Sequence, residues 1–203
     1  WTGSGTSATK KIYFDAAYGT LPSVSRTGYS LVGWFNTSAA TGGTQITTTL
    51  KMTTAADHTI YARWKANTTT VTLKKNTTAS DTATVTTLTM TYDSNAISKF
   101  TAPTNTGHTL TGYFTAKSGG SKVIDSAGGL VASVSGYTNA SKVWKNASSA
   151  ITLYAQWTAN TDTPYLVKHY VMTTSGTYTS ATLTEVKTGT TASTITLAEL
   201  ANS

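Results

Sequence analysis

Short stretches of the chain alternate apolar side chains with threonine, which is the pattern of half-buried β-strands. Val71 and Leu73 alternate in this way, and a second alternation runs through residues 85–92. The apolar positions of the second stretch shift by one at residues 86–87, which predicts a β-bulge there. Residues 76–81, between the two stretches, are polar and predict a turn.

The composition also favours strands over helices. Threonine and serine account for 48 and 21 of the 203 residues, and β-branched threonine fits a pleated surface better than a helix. The candidate helices, residues 53–56 and 197–201, are each only about one turn long. Hydrophobic residues make up 38% of the chain, which is enough for packed cores. We therefore expect a folded, mainly β protein.

The chain contains an internal repeat, in which several blocks recur in the same order. Residues 28–35 recur as residues 107–114, and the closing residues 60–64 recur as residues 153–157. A glycine pair lies between these blocks in each copy, and an apolar stretch that ends in aspartate precedes them. Ordered blocks at nearly constant spacing indicate two tandem copies of one module.

The second copy is longer than the first. Gly43 and Trp64 are 21 positions apart, whereas Gly120 and Trp157 are 37 apart, so the second copy has about 16 additional residues. We expect this insert, within residues 123–149, to form an extra hairpin or a long loop at one edge of the module.

The pattern changes at residue 161. Residues 165–172 and 178–187 predict two strands that are joined by a glycine-containing turn, but no further glycine–aromatic block follows them. We interpret this segment as the start of an incomplete third module. The predicted domains are residues 1–66, whose N-terminal strand is expected to be missing, residues 67–160 with the insert, and residues 161–203.

Both copies resemble the internalin B-repeat family, also called the Listeria–Bacteroides repeat. The resemblance rests on the glycine–aromatic block, the glycine pair and a terminal Tyr-Ala-x-Trp, and it covers residues 8–65 and 71–158. Residues 164–191 resemble the mucin-binding-type repeats that often follow in such proteins. The third module is therefore expected to be of the mucin-binding type.

The resemblance implies small β-grasp-like modules, mainly β with an α+β character, that are strung in tandem in wall-anchored or secreted bacterial proteins. It implies roles in adhesion, spacing and partner signalling, and it implies no enzymatic activity. The second copy departs from the family pattern at His108, where Tyr is usual, at Tyr113, where Trp is usual, and in its insert. Because of these departures, no ligand is transferred from a family member.

The charge distribution argues against a nucleic-acid partner. The formal net charge is +7, but the 15 basic residues are scattered along the chain. A basic surface of this kind favours diffuse attraction to anionic wall polymers or glycans. No apolar run approaches the ~18 residues of a membrane span, and the absence of cysteine excludes disulfides and thiolate chemistry.

Catalytic, metal and cofactor sites are not expected. The histidines, His58, His108 and His169, are far apart and have no metal-ligand spacing. The eight acidic residues form no recognisable catalytic pair, and no nucleophile elbow is present. Asp15 and Asp93 hold equivalent positions of the repeat, so we expect each to cap a turn. Lys–Asn isopeptide crosslinks cannot be identified from the sequence.

Aromatic side chains are the remaining candidates for ligand contact. Trp144 and Tyr137 lie on the predicted insert, where exposure and ligand contact are expected because functional residues concentrate on loops. The other aromatics of interest stand in the repeat blocks, where core packing is expected. These are Trp34, Trp64, Tyr113 and Trp157.

We therefore predict a non-catalytic repeat array of a bacterial surface or secreted protein, serving as a stalk or spacer and as an adhesion module. The alternative is a carbohydrate- or wall-polymer-binding appendage of a larger secreted enzyme. The expected partners are host or wall glycans, surface proteins and neighbouring repeats of the same chain. The first residue is Trp1 and no signal-like stretch follows it, so the sequence is expected to begin inside a longer protein or after processing.

Overall fold

The computed structural model describes residues 8–97, 100–178 and 180–195. These residues form ten β-strands and no helix, so the mainly β prediction is confirmed. Residues 53–56 are not helical, and residues 197–201 lie outside the described residues. The strands are β1 Tyr29–Phe35, β2 Gln45–Ile46, β3 Tyr61–Ala66, β4 Thr68–Lys74, β5 Thr84–Thr91, β6 His108–Phe114, β7 Lys122–Asp125, β8 Ala150–Ala159, β9 Thr163–Tyr170 and β10 Ala181–Gly189.

The first sheet contains three strands in the order β2-β1-β3, and all of its pairings are antiparallel. The register between β1 and β3 shifts between Leu31 and Gly33, where β1 carries a bulge. The second sheet contains five strands in the order β5-β4-β8-β6-β7. Its strand β6 carries the equivalent bulge between Leu110 and Gly112, so the two copies of the repeat share this irregularity as well as their sequence blocks.

The second sheet owes its greater width to a hairpin that the first sheet lacks among the described residues. Strands β4 and β5 pair with each other, and β4 also pairs in parallel with β8. Alternate residues of β4 and β5 point into the core, as the threonine alternation predicts. The bulge of β5 lies at Val85, one residue before the predicted position, because the register shifts between Thr84 and Thr86.

The hydrophobic core lies on one face of the second sheet. Val71 and Leu88 are paired across β4 and β5, and both are almost fully buried. The remaining core residues come from these two strands, from the other strands of the sheet and from the segment between β7 and β8. They are Leu73, Met90, Tyr113, Val123, Ile124, Leu130, Val134, Trp144, Leu153 and Ala155.

The insert folds onto this core as a long loop, which is one of the two forms that the sequence predicted, and not as a regular hairpin. Leu130 and Val134 contribute buried side chains, and Thr138 is also buried. The hydroxyl of Thr138 donates to the carbonyl of Val131 at 2.6 Å and accepts from the backbone N–H of Val134 at 3.0 Å. Isolated bridges replace a regular ladder, so the segment is a packed loop.

The turn predicted at residues 76–81 joins β4 to β5. The Asp81 carboxylate accepts hydrogen bonds from the hydroxyl and the N–H of Thr77, at 2.6 and 2.9 Å, and from the N–H of Ala83 at 2.8 Å. These hydrogen bonds, those from Thr77 above all, lower the pKa of Asp81 to about 2. Asp81 is therefore ionised at neutral pH and holds the turn in shape.

Strands β9 and β10 form an antiparallel hairpin, close to the two strands predicted for the third module. One face of the hairpin places Leu166 opposite Val186, and their exposed fractions are 59% and 72%. Val71 and Leu88, an apolar pair of the β4–β5 hairpin, are covered by the rest of their sheet. The β9–β10 hairpin thus presents apolar surface that the described residues leave open.

Candidate functional site

Trp144, the first candidate for ligand contact, is fully buried, with an exposed fraction of 0%. Its indole N–H points to the hydroxyl of Thr69 at 3.3 Å, and the edge of the ring meets Tyr137 at a centroid distance of 6.1 Å. The expectation that Trp144 is exposed is therefore wrong. A ring without accessible surface cannot stack on a ligand in this conformation, so Trp144 acts here as a core residue.

The backbone around Trp144 explains its burial. The N–H of Trp144 donates to the carbonyl of Ser94 at 2.9 Å, and the carbonyl of Trp144 accepts from Asp93 at 3.0 Å. In the first copy, Met52 makes the same pair of hydrogen bonds with Ala16 and Asp15. Trp144 thus occupies the position in the second copy that Met52 occupies in the first, and the additional residues lie before it.

Tyr137, the second candidate, lies on the packed loop and is half-buried. Its N–H donates to the carbonyl of Val134 at 2.9 Å, and its own carbonyl accepts from the N–H of Lys145 at 2.7 Å. The structure therefore holds the backbone of Tyr137 firmly and leaves part of its ring accessible. The two residues predicted to form one contact surface are adjacent, but only Tyr137 reaches the solvent.

Tyr113 and Trp157, the aromatic residues of the second copy's blocks, pack in or against the core, as the sequence predicted. Trp157 packs against the core, and its indole N–H donates to the carbonyl of Lys75 at 3.0 Å. Tyr113 is fully buried against the edge of Phe100, and its hydroxyl makes no hydrogen bond within the described part of the chain. Burial raises the pKa of Tyr113 to about 12.

Trp34 and Trp64 of the first sheet are both half-buried. The indole N–H of Trp34 donates to the carbonyl of Pro22 at 3.3 Å, and Trp64 is paired with Leu31 across the sheet. Trp64 also borders an open cleft of about 220 Å³, together with Arg26, Tyr29 and Tyr61. Tyr61 is 40% exposed, so this cleft combines accessible aromatic rings with a cation.

A polar cluster joins the two sheets, and sequence reasoning missed it. The hydroxyl of Tyr29 donates to the Asp93 carboxylate at 2.5 Å, and the same carboxylate forms an ion pair with Lys145. The guanidinium of Arg26 lies 3.7 Å from the centre of the Tyr29 ring. No sequence pattern relates these residues, because the fold alone brings them together.

The charges in this cluster support each other. Hydrogen bonds from Lys145 and Tyr29 lower the pKa of Asp93, and the hydrogen bond to Asp93 raises the pKa of Lys145. An amide crosslink between these two side chains would require a neutral amine and a protonated acid. The shifts in this cluster favour a charged Lys145 amine and an ionised Asp93 carboxylate. The two side chains therefore form an ion pair.

Asp15 and Asp93 lie at equivalent turns of the two copies. Both adopt a left-handed backbone, with φ of 60° and 62°, and their backbone N–H groups donate to the carbonyls of Met52 and Trp144 respectively. Each also forms an ion pair with a lysine, Lys51 in the case of Asp15. The two aspartates are therefore structural elements of a turn.

The histidines do not come together. His58 meets the hydroxyl of Tyr18 at 2.5 Å, and His169 lies 3.5 Å from Glu185 on the neighbouring strand. The ring of His108 contacts the carbonyl of Thr106 at 3.0 Å. Among the described ranges, no group of three or more His, Cys, Asp or Glu side chains could hold a metal ion. The same ranges contain no helix long and apolar enough to cross a membrane.

Comparison with known proteins agrees with the repeat organisation. The family described as the Listeria-Bacteroides repeat domain matches residues 2–63 and 66–138, which is more than half of the chain in two tandem copies. Internalin H of Listeria monocytogenes is 34% identical over 133 residues, which cover 66% of this chain and 20% of that protein. The chain thus spans about a fifth of the length of this relative. No solved structure matches the chain.

Proposed function

Because the chain belongs to the Listeria-Bacteroides repeat family, we propose that it is a non-catalytic spacer and adhesion array of a bacterial surface or secreted protein. The support for a spacer is the shortness of the connection between the sheets. Strand β3 ends at Ala66 and β4 begins at Thr68, so a single residue separates them. Strand β8 ends at Ala159 and β9 begins at Thr163, so three residues separate the second sheet from the β9–β10 hairpin.

A spacer built in this way extends by a fixed step with each repeat. Strand continues almost without interruption from one sheet into the next, so the chain loses little length to coiling. The test is small-angle X-ray scattering on this chain and on a variant in which residues 67–159 are duplicated. We expect the maximum dimension to increase by about the length of one repeat. An unchanged maximum dimension would contradict a spacer.

The adhesion role is supported by the cleft beside Tyr61 and by the partial exposure of Tyr137. Aromatic rings with polar neighbours are the usual surface for stacking on a sugar, and the net charge of +7 favours anionic glycans or wall polymers. The test is binding to immobilised anionic and neutral glycans. We expect Tyr61→Ala or Tyr137→Ala to weaken binding to the anionic set, and Thr82→Ala serves as an exposed control. Equal binding by all three variants would exclude these contacts.

The remaining parts of the proposal concern the setting of the array. We propose a wall-anchored or secreted location, β-grasp-like modules, and a mucin-binding-type module that begins at residue 161. The expected partners are glycans, surface proteins and neighbouring repeats, with no nucleic acid and no cofactor. The alternative is a binding appendage of a larger secreted enzyme. It predicts glycan binding but no increase of the maximum dimension when a repeat is added, so the two experiments above distinguish these roles.

A further inference from the structure

The connection between the first and second sheets is organised around Asn67. Its N–H donates to the carbonyl of Gly28 in the first sheet, and its carbonyl accepts from the N–H of Tyr92 in the second, both at 2.9 Å. The hydroxyl of Ser30 donates to the Asn67 side-chain oxygen at 2.6 Å. One residue therefore holds a loop of the first sheet and the end of β5 at the same time.

The connection between the second sheet and the β9–β10 hairpin repeats this arrangement around Asn160. Its N–H donates to the carbonyl of Gly107 and its carbonyl accepts from the N–H of Thr191, both at 2.8 Å. The hydroxyl of Thr109 donates to the Asn160 side-chain oxygen at 2.7 Å. The same three hydrogen bonds thus occur at both connections, although the elements that follow them differ in sequence.

The glycine of each connection is required by space as well as by conformation. Gly28 and Gly107 have φ of 77° and 70°, which non-glycine residues rarely adopt. A Cβ on Gly28 would lie 2.3 Å from the Tyr92 ring, and a Cβ on Gly107 would lie 2.5 Å from the Thr191 hydroxyl. The next unit is therefore seated directly on the glycine of the preceding one.

From this duplication we propose that Asn67 and Asn160 are clamps that fix the orientation of each unit relative to the one before it. Each clamp follows the closing tryptophan of its repeat in the pattern Trp-x-Ala-Asn. The proposal rests on the spacer function. It adds that the connections between units are stiff and that the Trp-x-Ala-Asn pattern marks them in the sequence. Asparagine suits the position because its side-chain oxygen accepts a hydrogen bond while its backbone groups pair on both sides.

The two clamps differ in the residues that surround them, so the stiffness of the two connections can be compared. Ala192, with φ of 61°, takes the position at the second clamp that Asp93 takes at the first. The cluster of Asp93, Tyr29 and Lys145 therefore reinforces only the first clamp. We infer that the first connection is the stiffer of the two and that it alone weakens when salt screens the ion pair.

The chain has no cysteine, so two introduced cysteines label it cleanly for a distance measurement by electron paramagnetic resonance. Ser38→Cys and Ser126→Cys place spin labels on exposed residues in the loops that follow β1 of the first sheet and β7 of the second. We expect a narrow distance distribution in the labelled chain, and a distribution broadened about twofold by Asn67→Ala, because a freed connection samples several orientations. Thr82→Ala, an exposed substitution in the turn at the end of the β4–β5 hairpin far from Asn67, is the control and should leave the width unchanged.

Ser30→Ala provides a second variant, because it removes only the donor to the Asn67 side chain and leaves the strands intact. An intermediate width for Ser30→Ala would support the clamp. A broad distribution in the unsubstituted labelled chain, or equal widths for Asn67→Ala and Thr82→Ala, would overturn it. Failure of the clamp would leave the increase of length with repeat number intact, so the test is distinct from that of the spacer function.

Discussion

Replacement of Trp144 by alanine tests whether this residue serves the core or a ligand. The side chain is fully buried, so folding removes about 200 Å² of ring surface from water. At about 25 cal/mol per Å² this burial contributes about 5 kcal/mol. Alanine keeps only the Cβ and leaves a cavity, so we expect Trp144→Ala to lower the free energy of unfolding by about 3–5 kcal/mol.

A loss of this size is comparable with the whole stability of a small domain, which is about 5–15 kcal/mol. The second sheet should therefore unfold at much lower denaturant concentration or fail to fold. The hydrogen bond from the indole to Thr69 adds to the effect, because Thr69 is itself buried and donates to the carbonyl of Ser148 at 2.8 Å. Trp144→Phe keeps most of the ring volume and should cost less than Trp144→Ala.

The assay is urea unfolding followed by circular dichroism and by tryptophan fluorescence, with Trp34→Ala as a control in the first sheet. Separate transitions for the two sheets would assign each loss to its own sheet. A loss below about 1 kcal/mol for Trp144→Ala would show that the ring is accessible in solution. The burial described above would then be wrong, and a ligand role for Trp144 would regain support.

Three further predictions follow from single contacts. Tyr113→Phe should leave the free energy of unfolding unchanged or raise it by about 1 kcal/mol, because it removes an unpaired buried hydroxyl; a clear loss in urea unfolding would contradict this. Gly112→Ala should destabilise the second sheet in thermal unfolding, because the added Cβ would lie 2.5 Å from a backbone oxygen and the φ of this residue is 141°. Gly119→Ala is the control, because its Cβ would meet nothing within 4 Å. The lowered pKa of Asp93 means that its contribution to stability is present above the unfolded pKa of about 4 and is lost as the pH falls through the folded value. Carboxyl titration by NMR should show that Lys145→Met raises this pKa, and an unchanged pKa would remove the ion pair from the cluster.

The sequence predicted the strands and the repeat because both depend on local patterns. Alternation of apolar residues with threonine sets which face of β4 and β5 is buried, whatever the rest of the fold does. The glycines of the repeat mark backbone positions with positive φ. Gly33 and Gly112 each follow a bulge, Gly33 in β1 and Gly112 in β6. These features need no knowledge of distant residues.

The burial of Trp144 could not be predicted in the same way. The insert precedes this residue and displaces it along the sequence, so its equivalence with Met52 is visible only in the backbone hydrogen bonds. The strands on either side of Asn67 are also not evident from the sequence, because residues 65–70 are mostly polar. Threonine and lysine occur on the exposed face of a strand as well as in linkers. Whether such a segment forms a strand depends on the strands beside it.

Strand length gives the clearest case of a neighbour deciding local structure. Leu153 to Trp157 and Ile60 to Trp64 are equivalent blocks, yet β8 begins at Ala150 whereas β3 begins only at Tyr61. The additional residues of β8 are those that pair in parallel with β4. The described part of the first sheet has no counterpart of β4, so the residues before Tyr61 have no ladder to join, and Ile60 is only half-buried where Leu153 is fully buried. The closing signature thus specifies an extended, apolar segment, and the hairpin beside it converts that segment into a strand of the sheet.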